Sequence, residues 1–108
     1  VTLVLVLQGD PATRLMIERE LAALSMSVVE ATSVAHARTM PKPDLILTSW
    51  VLPDGTPRDL RVGVPIVVVS GYDRPPDGEP WTGPWVRKPL HMADLRAAVT
   101  TALARAGE

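Results

Sequence analysis

The sequence predicts a three-layer α/β fold, with one parallel sheet of five strands between two layers of helices. Two observations lead there. Val1 to Leu7, Leu45 to Leu47 and Val64 to Val69 are apolar runs rich in Val, Ile and Leu, each too short for a helix. Continuous rather than alternating hydrophobicity marks strands covered on both faces, the condition of a parallel sheet. Segments with helical spacing, punctuated by Pro and Gly, then connect or follow these runs.

Taken in order, Val1 to Leu7 is the first strand. Asp10-Pro11 opens a helix, because the Asp side chain caps orphan N–H groups and Pro suits the first turn. Ile17, Leu21 and Leu24 recur at i, i+4 and i+7 and form its buried stripe, leaving Arg14, Glu18 and Arg19 to solvent. Ser27 to Ala31 is a weaker second strand. Val34 to Met40 allows about two helical turns before Pro41 and Pro43, Leu45 to Leu47 is the third strand, and Thr56 to Arg61 allows little more than one turn before Gly63. Val64 to Val69 is the fourth strand. Gly71 to Pro84 holds four prolines and three glycines in fourteen residues, so a loop or at most one turn replaces a helix there. Trp85 to Arg87 is the fifth strand, and Met92 to Arg105, with Leu95, Val99, Ala102 and Leu103, is the closing helix. Right-handed crossovers then give the strand order 2-1-3-4-5.

Composition narrows the functions. The 108 residues, 46% of them hydrophobic, fit one module over residues 1–108, without a separate effector. A net charge of -1 with mixed signs offers no basic stripe for nucleic acid. The opening apolar run is far shorter than the roughly 20 residues that span a bilayer. The absence of cysteine excludes disulfides and thiolate chemistry and fits a cytoplasmic protein, and the missing initiator Met predicts a processed or excised chain.

Four landmarks carry a family resemblance along nearly the whole chain: Asp10-Pro11; Pro43-Asp44-Leu45-Ile46-Leu47 with Trp50-Val51-Leu52-Pro53 after it; Pro65-Ile66-Val67-Val68-Val69-Ser70; and Lys88-Pro89. In this order and approximate spacing the chain resembles the bacterial response-regulator receiver domain, a flavodoxin-like (CheY-like) fold. The resemblance implies an acidic pair after the first strand to hold a divalent metal, an aspartate phosphoacceptor after the third, a Ser or Thr after the fourth and a lysine after the fifth. This chain keeps only the last two, Ser70 and Lys88. Gln8 and Gly9 stand at the acidic pair and Ser49 at the phosphoacceptor. Mg²⁺ requires carboxylate oxygens and dehydrates reluctantly, phosphoryl transfer needs the metal, and a neutral hydroxyl needs an adjacent base. The resemblance therefore implies a pseudo-receiver that is no enzyme, holds no cofactor and accepts no phosphate.

Each remaining candidate has a structural reading beside a functional one. Asp10 reads as a helix cap, and Asp54, in Leu-Pro-Asp-Gly, as a turn residue. Lys88, deprived of both acids, has three outlets: solvent, pairing with Asp10 or Asp54, or an anion. The family often builds the bond before such a proline as a cis peptide. Trp85 reads as packing, and Trp81 in the Pro/Gly loop is either pinned over the core or offered to a partner; with Tyr72 it marks a candidate interaction surface. His36 and His91 lack partners at metal-ligand spacing. The functional expectation is a phosphorylation-independent interaction module in a bacterial signalling pathway, whose partner is another protein, an attached effector domain or a second copy. The alternative is a small-molecule or anion sensor built on Gln8, Ser49, Ser70 and Lys88. A flavodoxin-type redox carrier is disfavoured, because no phosphate cradle follows the first strand.

Overall fold

A computed structural model describes residues 2–60 and 63–106. Among the described residues nine elements follow one another: β1 (Leu3–Leu7), α1 (Pro11–Ala23), β2 (Ser27–Glu30), α2 (Val34–Thr39), β3 (Leu45–Thr48), a 3₁₀ turn (Pro57–Asp59), β4 (Ile66–Ser70), β5 (Trp85–Arg87) and α3 (Met92–Ala106). All strand pairs are parallel, and the order is β2-β1-β3-β4-β5, as the sequence predicts. Val1 and Arg61, the outer ends of two predicted elements, lie outside the described residues.

Both faces of the sheet are covered, which explains the continuous rather than alternating hydrophobicity of its strands. Val4 and Val6 join Leu45, Leu47, Val67 and Val69 beneath α1 and α3, where Ile17, Leu21, Leu95 and Val99 meet them. The alternate residues Leu5, Leu7 and Ile46 face the other way, toward Val34, Ala37 and Leu60. Each such side chain contributes on the order of 1.5–3 kcal/mol by leaving water.

Local chemistry sets the boundaries. Asp10 caps α1 by accepting from the Ala12 N–H at 3.2 Å. Leu24, predicted as the third residue of the buried stripe, is instead the half-buried C-cap, its N–H turned back to the Glu20 and Leu21 carbonyls. Ser25 then takes the left-handed conformation (φ 60°) and Met26 N–H returns to Leu21 O at 3.0 Å, so the helix closes without the usual glycine. β4 begins at Ile66 rather than Val64, because Pro65 has no N–H; its carbonyl still accepts from Ile46 N at 2.9 Å. The helix predicted from Thr56 contracts to the 3₁₀ turn, closed by a capping box in which Asp59 accepts from Thr56 N at 2.9 Å.

Residues 71–84 contain no helix, as the proline content predicts. They form a strap laid over the end of the sheet left uncovered by α2. Val86 belongs to the α1/α3 side, so its neighbour Trp85 points to the strap side. There Trp50, only 3% exposed, packs against Trp85 (ring centroids 5.4 Å apart) and edge-on against Trp81 of the strap (5.6 Å, 83°). The Arg58 guanidinium lies 4.7 Å from the Trp50 ring centroid while it pairs with Asp77 at 2.7 Å and donates to Pro80 O at 3.2 Å. Gly83 sits in close packing: a Cβ there would lie 3.0 Å from Trp81 Nε1 and 3.1 Å from Ile66 O, so either neighbour would have to give way.

Candidate functional site

Parallel pairing gathers the ends of the strands on one rim, where ligands of such sheets collect. Leu7 pairs with Thr48, and Ser49 N–H donates to Leu7 O at 2.8 Å, so the residues that follow β1 and β3 are neighbours. Ser70 pairs with Arg87, and Lys88 N–H donates to Ser70 O at 2.8 Å. The Lys88 ammonium then crosses the rim to donate to Gln8 Oε1 at 3.2 Å, joining residues 80 positions apart. Gln8 is 6% exposed, and its Nε2 finds no partner among the described residues.

The hydroxyls are engaged locally. Ser49 Oγ donates to Val51 O at 3.3 Å, and Thr48 Oγ1 to Ser49 O at 2.8 Å. Ser70, the last residue of β4 rather than the first after it, is buried and accepts from Tyr72 N at 3.1 Å. Gly9 is exposed, and a Cβ on it would meet nothing within 4 Å.

Both aspartates beside the rim are engaged as helix caps. Asp10 takes the Thr13 hydroxyl and the Ala12 N–H; that hydroxyl, the N–H and the nearby Lys88 charge hold its carboxyl below the usual range. Asp54 does more than turn the chain. Its two oxygens accept from Ala35 N at 2.9 Å and Val34 N at 2.7 Å, capping α2 from 20 residues away, and these donors lower its pKa. Of the outlets open to Lys88 from the sequence, a bond to Asp54 is closed by this cap, and the neutral Gln8 amide takes the ammonium instead.

The strap residues meet around Trp50. Trp81 meets Trp50 edge to face and is half-buried, so it is in contact with the core without being enclosed by it. Trp85 Nε1 donates to Tyr72 O at 2.7 Å, and the Tyr72 ring is half exposed. His36 Nδ1 accepts from Thr32 N at 3.2 Å, and His91 O starts α3 by accepting from Asp94 and Leu95 N–H at 3.1 Å. Among the described residues, no three His, Cys, Asp or Glu side chains gather as metal ligands. The Lys88–Pro89 bond is cis. Arg14, Thr32, Glu30 and Arg58 border the rim or strap and are not evident from sequence; only the position of Arg14, one turn into α1, could have signalled it.

No sequence-family model matches the chain, and no curated protein sequence does. Solved structures match well. The chain is similar to the receiver domain of the Erythrobacter litoralis response regulator PhyR (21% identity, TM-score 0.82, covering 95% of this chain and 90% of that one). It is similar to a two-component response regulator from Clostridium difficile (22%, TM-score 0.78, 100% of both chains). It also resembles the anti-anti-sigma factor PhyR of Bartonella quintana (21%, TM-score 0.83), matching 97% of this chain but 49% of that longer one. The fold is thus the flavodoxin-like, CheY-like fold of response-regulator receiver domains.

Proposed function

We propose that the chain is a receiver-type domain of bacterial signalling that has lost phosphoryl chemistry and acts, without catalysis, as a phosphorylation-independent protein-interaction module in the cytoplasm. The bond from Lys88 to Gln8 carries this reading. In receiver chemistry that lysine meets a phosphorylated carboxylate; here its ammonium donates to a neutral amide, while Ser49, at the phosphoacceptor position, donates its proton to a loop carbonyl. With Gln8 and Gly9 in place of acids, Mg²⁺ lacks the carboxylates it needs, and an incoming phosphoryl group would meet no metal to neutralise its oxygens.

The partner is a protein, an attached effector domain or a second copy. The strap supports this, because it remodels the surface around Tyr72, Trp81 and Trp85 without helical structure. The likeness to half of an anti-anti-sigma factor is in keeping with a module that sits within a longer chain. The anion-sensing alternative gains little from the geometry, since Lys88 is drawn toward Gln8 Oε1 and the Ser49 hydroxyl donates to Val51 O.

The test is incubation with acetyl phosphate and millimolar Mg²⁺, followed by intact-mass spectrometry. The unmodified mass should persist, also for Ser49→Asp, which restores the nucleophile without the metal site. Gly9→Asp combined with Ser49→Asp should recover Mg²⁺ binding, since position 9 has open space. A stable phospho-adduct on the native chain would sink the proposal.

A further inference from the structure

At the end of the sheet opposite the rim, where β4 and β5 begin, lies a cavity of about 340 Å³. That volume admits a small organic molecule, since such sites span roughly 300–1,000 Å³. Val64 and Pro65 give it one apolar side and Ala102 of α3 another, and the strap borders it through Trp81, Thr82 and Gly83.

The polar groups of the lining indicate what would enter. They are the Trp81 indole, the Thr82 hydroxyl and the Arg105 guanidinium, and no carboxylate lines the cavity among the described residues. An indole N–H and a guanidinium donate and never accept. The lining thus carries one positive charge, and among the described residues Arg105 takes part in no ion pair. Trp81 supplies an independent indication. Its Nε1 is shut off from water and has no hydrogen-bond acceptor among the described residues, a state that folded proteins seldom leave uncompensated. Gly83 lies against this nitrogen, since a Cβ there would be 3.0 Å from it, and Gly83 also lines the cavity, so the donor sits in the cavity wall. Both groups call for an acceptor, and Arg105 calls for a charged one.

We propose that this cavity binds a small carboxylate with an apolar body, its oxygens accepting from Trp81 Nε1 and the Arg105 guanidinium and its body resting on Val64, Pro65 and Ala102. The proposal concerns the far end of the sheet from Gln8, Ser49 and Lys88; it stands apart from the protein-interaction reading and can fail separately.

Two probes with similar aromatic bodies and opposite charge test it: 3-phenylpropionate and 2-phenylethylamine, titrated into the isotope-labelled 108-residue chain, whose three tryptophans give three indole N–H resonances. The acid should move the Trp81 indole resonance downfield and saturably, as a new hydrogen bond does, together with the Gly83 amide. The amine should not. Arg105→Gln, a change at an exposed side chain, should weaken binding of the acid about tenfold, the loss of one charge-assisted hydrogen bond, whereas Arg105→Lys, which keeps the charge, should retain most of it. No saturable shift with the acid, equal binding of the amine, an unmoved Trp81 indole, or full affinity in Arg105→Gln would each overturn the proposal.

Discussion

The two faces of the sheet are covered by different means. On one, α1 and α3 run 13 and 15 residues and lay aliphatic stripes on Val4, Val6, Val67 and Val69. On the other, α2 has six residues, the next crossover is a single 3₁₀ turn, and a proline-rich strap completes the cover with tryptophan. Each indole buries on the order of 150–250 Å², so a segment unable to form a helix can still seal a sheet. The difference lies in the backbone. Helical N–H groups are satisfied within the helix, whereas the strap is tethered by side chains, through Arg58 to Asp77 and Pro80 O and through Trp85 to Tyr72 O.

Breaking the aromatic face should have the largest effect. Trp50→Ala should lower unfolding free energy by about 4 kcal/mol, and hydrogen exchange should show the loss of protection concentrated in residues 72–85. Equal loss of protection in α1 would show that the two faces act as one unit. Leu95→Ala on the aliphatic face should cost about 3 kcal/mol by leaving a cavity, with protection falling across the sheet; a loss confined to α3 would contradict the contrast. Arg58→Ala should cost about 1 kcal/mol, because the cation–π contact and the exposed ion pair are each modest. It should nonetheless loosen the strap selectively, seen as sharper amide resonances there.

Asp54→Asn should lower the melting temperature slightly at neutral pH, and the sign of its pH dependence follows from the cap. The N–H groups of Ala35 and Val34 stabilise the ionised carboxylate and depress its pKa in the fold. The contribution is therefore complete above the ordinary aspartate value of about 3.9 and is lost as pH falls through the lowered one. Native and variant proteins should converge in stability in acid; a difference that persists there would point to shape rather than charge.

The contrast between the faces also explains how much could be read in the sequence. Strands, their order and the long helices were legible because apolar runs and helical spacing are local, and so was the failure of Gly71 to Pro84 to form a helix. Strand ends slipped by one or two residues where a ladder bond depends on a neighbour, as at Pro65. The cap of α2 by Asp54, the bond from Lys88 to Gln8 and the edge-on contact of Trp81 with Trp50 were not legible. They join residues 20, 80 and 31 positions apart, and nothing in either local sequence names the partner. That positions 8, 9 and 49 hold Gln, Gly and Ser could be read directly; which groups those side chains meet could not.

The chain has three tryptophans, one tyrosine and no phenylalanine, and all three indoles touch within one cluster. Its ultraviolet emission therefore originates almost wholly from the strap side, while the aliphatic side is optically silent. Fluorescence melting would report departure of the strap, and far-ultraviolet circular dichroism would report α1 and α3. A gap between the two curves would measure, without any label or substitution, how independently the aromatic cover lifts from the rest of the domain.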